Sequence, residues 1–503
     1  MKKIKIILSV FVLFIGSACT DLDETLYDRL GAGNFFQNEE EIKAGLANVY
    51  YRLMASHNWL FAWQLQEVTT DHGEVPTRNN GGWYDGGKYI TATTHTWDAT
   101  QETVNNVYSG LYWTIAATNT FIETIQVAQK DIDGLEPIEA EVRAIRAWSY
   151  YELCDYYGNV PLVTVSKLDQ QNLPTNSTRL AVFNFIEEEL LAAAEVLPSV
   201  NDVSRSDYYP RISKETVWAM LARLYLNAKV YSGTARWEDC IDICDKIISS
   251  EAFQLTPSIW DSFVPENEDS PEIIFGISYS NKDITNGSTG SNYINQLGLH
   301  PLLQQKYDLP FTPWGGPRVG GDHYKIYDDA DFRKSLILSG KQYSSSGEFL
   351  FEILPLEHMN NAHPDEGLIS VKYVPDPEQI GVSGRNDLVM IRYAEILLNK
   401  AEAILRLGGS ESDAVDLVNE VRERNFTPYV PLTSITLDEI LEERSREFLW
   451  ECNYRTDLIR YNKFLSNTYK FKPEPTTESF RTVFPIPQSE LESNPNLVQN
   501  PGY

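Results

Sequence analysis

Between Asp71 and Trp97 the chain reads DHGEVPTRNNGGWYDGGKYITATTHTW, its richest mixture of aromatic rings and planar polar side chains. That mixture suits a saccharide. The axial C–H faces of a sugar lie on aromatic rings, while its hydroxyls need planar partners such as Asp, Asn, Gln and Arg. Asn79-Asn80-Gly81-Gly82 and Asp85-Gly86-Gly87 are turn signals on either side of Trp83-Tyr84, so these two rings belong at an exposed loop tip. Trp83 and Tyr84 are read as stacking surfaces, with Asp71, Arg78 and Asn80 as hydroxyl partners. The alternative is that both rings fill a core beneath the loop, where most aromatics go. Trp97 is read as structural on that argument. In the second loop-rich stretch, Tyr293 and Trp314 are further candidates, the latter in a WGGP turn.

Other residue sets suggest different chemistry. Glu443, Glu447 and Glu451 are spaced four apart, and paired carboxylates can hydrolyse glycosides. With Arg444, Arg446, Arg455 and Arg460 interleaved, the simpler reading is a salt-bridged helix. Asp328-Asp329-Ala330-Asp331 could offer oxygens to calcium, but it lacks the Gly and terminal Glu of a calcium loop and is read as a solvated turn. Cys240 and Cys244 have no histidine nearby to complete a zinc site and are read as small buried hydrophobes. The sequence has no Gly-x-Ser-x-Gly, His-Glu-x-x-His or phosphate loop, and its seven histidines are scattered. The expectation is a protein with no catalytic residues, no metal and no cofactor.

The elements that position these loops are helices. In Met390–Arg424, Ile391, Ala394, Leu398, Ala401 and Leu405 form one apolar stripe. Gly408-Gly409 ends that helix. Ser410 or Ser412 caps a second, with Ala414, Leu417, Val418 and Val421 inward. Neither helix can bury its stripe alone, so the hairpin must stack on neighbours as tetratricopeptide-like repeats do. Helices are likewise expected over 39–54, 104–128, 137–157 (with a Glu139–Arg143 pair), 181–196, 213–229 and 237–249, and one or two over 437–464. A short strand is expected at 272–278. Seven prolines between 257 and 317, with NGSTGSN and WGGPRVGG, mark long loops there, and long ordered loops carry function. The tail FPIPQSELESNPNLVQNPGY is expected to lie extended against the body.

The chain has 503 residues, 42% apolar and 12% aromatic, and a net charge of −29. That charge argues against nucleic acid as a partner, since phosphates require neutralising Lys and Arg. Lys2, Lys3 and Lys5, the apolar run Ile6–Ile15 and Gly16-Ser17-Ala18 before Cys19 read as a signal peptide with a lipobox. Cys19 would then become a lipidated N-terminus and anchor the chain to a membrane.

Together, the Cys19 lipobox, RAIRAWSYYELCDYYGNVPLV, ARLYLNA, RYAEILLNKAEAILRLG, EERSREFLWECNYRTDLIR and the terminal FPIPQSELESNPNLVQNPGY resemble, in order, the SusD/RagB family of Bacteroidetes outer-membrane lipoproteins. The resemblance implies a mainly α fold of tetratricopeptide-like helix pairs with a loop-rich, short-strand ligand region. It also implies capture of oligo- or polysaccharide at the cell surface, without catalysis, for a SusC-like TonB-dependent transporter. In polysaccharide-type members the stretch matching VPTRNNGGWYDGG contributes an aromatic platform and polar contacts. A RagB-like capture of peptides or another nutrient is the alternative, and a surface glycosidase the third reading. The organisation expected is signal peptide 1–18, lipidated Cys and tether 19–38, helix pairs with a binding loop (56–103) over 39–250, a loop-rich insertion 251–387, and a C-terminal region 388–503.

Overall fold

The computed structural model describes residues 36, 38–57, 61–127, 134–279, 293–380 and 384–503. The signal-like segment, Cys19 and Trp59 lie outside them.

Helices form one continuous row. In chain order they are α1 (Glu39–Ser56), α2 (Phe61–Glu67), α3 (Lys88–Thr93), α4 (Glu102–Val127), α5 (Leu135–Tyr156), α6 (Arg179–Val196), α7 (Lys214–Leu226), α8 (Trp237–Ser249), α9 (Ile294–Gly298), α10 (Tyr393–Leu407), α11 (Glu411–Glu423), α12 (Leu437–Glu447) and α13 (Tyr454–Arg460). Contacts run from α1 to α4, then through α5, α6, α7, α8 and α10 to α11, each helix against the next. Local chemistry sets several of the ends. Ser213 caps α7 by accepting from Thr216 N at 3.1 Å, and Ser410 caps α11 through Asp413 N at 3.2 Å. Thr436 and Glu439 form a reciprocal capping box on α12. Gly408 closes α10 in the left-handed region at φ 78°.

Eight short strands pair two by two among the described residues: β1 (Gly73–Glu74) with β3 (Arg318–Val319), β2 (Ile273–Ile277) with β8 (Leu388–Arg392), β4 (Ile337–Leu338) with β7 (Ile369–Ser370), and β5 (Gly340–Tyr343) with β6 (Phe349–Ile353), all antiparallel. The β2–β8 register, Ile273↔Arg392 and Phe275↔Ile391, corrects the expectation for Met390–Arg392. These residues are a strand, and the helix starts only at Tyr393, so Ile391 belongs to a ladder rather than to the helical stripe. The tail also departs from a purely extended course, with a helical turn at Gln488–Ser493. Asn500 still ties it down by donating to the carbonyls of Tyr157 and Phe484, both at 2.8 Å. Arg143 pairs with Glu189 on α6 at 2.7 Å rather than with Glu139.

The largest departure lies in the acidic helix. Glu443 and Glu447 of α12 and the neighbouring Glu451 are 1%, 0% and 5% exposed, and their partners come from remote elements. Arg392, at the end of β8, reaches Glu272, Glu447 and Glu451 at 2.7, 2.7 and 2.8 Å. Arg424, after α11, binds Glu272 and Glu447, and Arg333 binds Asp331, Glu443 and Glu447. Asp331 is therefore buried in this cluster and not in a solvated turn. Burial alone would favour protonated carboxyls. Arg424 and Arg392 outweigh it at Glu272, and Arg333, Arg446 and Arg422 at Glu443, holding both at about 2. Carboxylates locked in this form cannot serve as general acids. The cluster joins β2, β8, α11, α12 and the 331–333 turn, and so fixes the loop-rich region to the helical row.

Cys154, Cys240 and Cys244 are buried and free, Trp97 is 1% exposed and donates to Tyr503 Oη at 2.7 Å, and no helix among the described residues is long and apolar enough to cross a membrane.

Candidate functional site

Above the helical row a second, smaller apolar cluster gathers Trp63, Val68, Tyr89, Tyr293, Leu297 and Trp450. Its upper surface opens as a groove of about 440 Å³, whose rings come from Phe61 and Trp63 of α2, Trp83, Tyr89 of α3, and Trp314. Trp63 and Tyr89 are almost buried, Trp83 is half-buried, and Trp314 is 49% exposed. The floor is thus fixed by packing (Trp63 meets Trp450 edge-on at 5.0 Å between ring centres) while the walls offer ring faces to solvent.

Two distant loops build the wall together. Trp83 Nε1 donates to the Trp314 carbonyl at 3.1 Å. The Trp83 ring lies against Gly316, where a Cβ would come within 2.2 Å of it. The 314–316 backbone is itself held from α9 and the residue after it, through donations to the carbonyls of Gln296, Leu297 and Leu299 at 2.8–3.0 Å. On the other side, Arg78 N donates to Gly82 O and Gly82 N to Asn80 Oδ1, which closes the turn. Trp83 sits in the left-handed region at φ 63° and Asp85 at φ 42°. Bulky residues seldom adopt that conformation, and such strain concentrates at functional sites.

A polar rim faces the rings. Tyr89 Oη donates to Asp85 Oδ2 at 3.0 Å, and burial with the Asp85 charge pushes its phenol pKa up. Lys88 Nζ lies 2.9 Å from Glu102 and 3.9 Å from Asp85. Gln64 is oriented by Thr103 Oγ1, which donates to its Oε1 at 2.8 Å. Lys88 offsets only one of the two carboxylates, leaving a net acidic rim of rings, an amide and hydrogen-bonding carboxylates.

Of the residues chosen from sequence, the structure brings Trp83 and Trp314 together as groove walls. Tyr84, 55% exposed, stands on the same turn outside the lining, as does Asn80. Arg78 lies under the rim and is 5% exposed. It donates only to backbone carbonyls: Gly315 at 2.7 Å, Gly316 at 3.2 Å, and His363 and Glu366 at 3.0 Å. It therefore positions the Trp314 loop rather than facing solvent. Asp71 is held by Asn467 Nδ2 at 2.8 Å, and burial raises its pKa. Tyr293 fills the second cluster, 2% exposed. Trp63, Tyr89, Gln64, Asp85, Lys88 and Glu102 were not singled out from sequence. Tyr89 lies in the same aromatic stretch and Trp63 in the expected 56–103 binding loop, but neither carries a local sign that separates it from core.

A nucleophile-like arrangement lies deeper. Ser445 Oγ is 2.9 Å from His72 Nε2, and His72 Nδ1 is 2.8 Å from Glu67. All three are 0–3% exposed, and the His72 ring is stacked on Tyr454 at 3.7 Å. No substrate reaches that hydroxyl. Burial pushes Glu67 up to about 8 and His72 well below its usual range. The trio ties α2 to α12. Among the described residues no group of three or more His, Cys, Asp or Glu could hold a metal ion.

Comparison with known proteins agrees with this architecture. Residues 23–226 match the family model described as "Starch-binding associating with outer membrane", and residues 326–503 that of the SusD family. The starch-binding protein SusD of Bacteroides thetaiotaomicron is 25% identical across 87% of this chain and 85% of its own. Among solved structures, a laminarin-binding SusD-like protein superposes with a TM-score of 0.76 at 24% identity, over 93% of this chain and 100% of that one. Surface glycan-binding protein A of Bacteroides thetaiotaomicron, in complex with laminarihexaose, gives 0.75 at 22% identity over 92% and 99%.

Proposed function

The chain belongs to the SusD/RagB family, and from that premise we propose that it is a cell-surface carbohydrate-capture protein. It binds an oligo- or polysaccharide in the Trp63–Trp83–Tyr89–Trp314 groove and does not cleave it. The observation that carries this reading is the groove itself, where ring faces from two remote loops meet over a packed floor and beside a rim of hydrogen-bonding side chains. Stacking on rings and hydrogen bonding to planar groups is what a pyranose requires. Glu443 and Glu447 of α12 are locked in ion pairs, which supports binding without hydrolysis.

The same reading includes a lipid anchor on Cys19 in the outer membrane and delivery to a SusC-like TonB-dependent transporter. One matching family is described as associating with the outer membrane, which supports that location. The decisive experiment is a glycan array followed by calorimetry on the hits, with laminarin and starch included, and a reducing-sugar assay alongside. Saturable binding without release of reducing ends is expected, and Trp83→Ala should abolish it. Sustained turnover, or the absence of any glycan ligand, would overturn the proposal. Cys19→Ala should release the protein from membranes, and detergent extraction of the native protein should carry a large barrel protein with it.

A further inference from the structure

The longest helix carries a second concavity on the face that leads away from the aromatic groove. Between α1 and α4 lies a cleft of about 490 Å³. It is lined by small residues, Gly45, Ala116 and Ala117, and by the buried rings of Phe36 and Phe121, and a Cβ at Gly45 would come within 2.4 Å of the Phe36 ring. Trp113 stands at its edge, 63% exposed, with no ring partner among the described residues. Asn48 and Arg52 face the cleft from α1. Their side chains make no hydrogen bond or ion pair to another described residue, so their capacity is open to a ligand.

The two concavities share one helix face. Glu102, which rims the aromatic groove, is followed at steps of three or four by Asn106, Ser109, Trp113, Ala117 and Thr120. At 3.6 residues per turn these residues lie above one another, and none of them is buried. Eleven residues at 1.5 Å each place Trp113 about 16 Å along the axis from Glu102, a span that several linked pyranoses cover.

We propose that this face of α4 is a track for one continuous polysaccharide chain, held at one end in the aromatic groove and at the other on the Trp113 indole. The inference rests on the capture reading and extends it: the ligand is a polymer whose footprint exceeds the groove. A single indole framed by Asn, Arg, Ser and Thr matches a chain that shows small apolar faces and hydroxyls all along its length. A protein partner would call for a broader interface, of about 800 Å² per side, and Trp113 is the one exposed ring of the cleft, since Phe36 and Phe121 are buried beneath it. The saccharide hydroxyls would accept from the Arg52 guanidinium and exchange hydrogen bonds with the Asn48 amide.

The test is affinity against chain length. Calorimetry is run on wild type, Trp113→Ala and Trp83→Ala, with a series from trisaccharide to octasaccharide and the parent polysaccharide (laminarin for β-glucans, amylopectin for α-glucans). Wild-type affinity should climb with length. Trp113→Ala should bind the trisaccharide as wild type does and the polymer about tenfold more weakly, with an unchanged melting temperature because the ring is exposed. Trp83→Ala should lose every length. Identical length dependence in Trp113→Ala and wild type, with Trp83→Ala inactive, overturns the track and leaves capture standing. If wild type binds no saccharide at all, both readings fall. If Trp113→Ala changes the oligomeric state by light scattering but not polymer affinity, the face meets protein and the track is refuted.

Discussion

Replacing Trp314 by alanine isolates what one ring contributes to binding. Its indole is 49% exposed, so little of the core depends on it. Its peptide group does the structural work, accepting from Trp83 Nε1 and donating to Gln296 O, and alanine keeps both contacts. A tryptophan side chain presents roughly 250 Å². About half of that is open here, and a sugar covers one face, so some 60 Å² of apolar surface is removed from water on binding. At about 25 cal/mol per Å² this is roughly 1.5 kcal/mol, or about a tenfold rise in Kd. Calorimetry with the best array ligand measures the change, and differential scanning fluorimetry checks the fold. Unaltered affinity with an intact fold would refute the groove as the binding surface. A melting temperature lowered by many degrees would refute the claim that the ring faces solvent.

Glu447→Gln should destabilise the protein by about 3–5 kcal/mol, because Arg333, Arg392 and Arg424 would each lose a buried counter-charge; a loss below 1 kcal/mol in chemical denaturation would contradict the cluster's role. Gly316→Ala should weaken glycan binding in calorimetry, because its Cβ must displace the Trp83 ring. Stability should decline from about pH 4.3 to 8. Burial raises Glu67 and Glu74 to about 8 and Asp387 to about 7, all above their unfolded values, so their contribution is fully present at low pH and lost as pH rises through those values. Below about pH 4.3 the sign reverses: Glu272 and Glu443, held at about 2, lose their contribution as they take up protons. Melting curves from pH 3 to 9 should therefore show a maximum on the acid side of neutrality, and a monotonic rise to pH 8 would contradict this.

The helical row was legible because its signals are local. Trp237–Ser249 is found where periodicity puts it, and Ser213 and Gly408 end their helices as their chemistry requires. The strand at Leu388–Arg392 was not legible, because its partner Ile273–Ile277 lies more than a hundred residues away and Ile391 suits a helical stripe equally well. At the site, the glycines around Trp83 announced an exposed ring. Nothing near Trp63 or Tyr89 tells a groove floor from ordinary core. Arg78 looked like a solvent-facing loop residue until four carbonyls from residues 315–366 closed around it. Glu443 and Glu447 looked like a surface ladder for the same reason: their guanidinium partners arrive through tertiary structure.

The junction between the two groove walls has a kinetic corollary. On the capture reading, a groove whose walls are already joined (Trp83 Nε1 to the Trp314 carbonyl) would let a sugar arrive and depart at one standing surface. Release would then await no reopening.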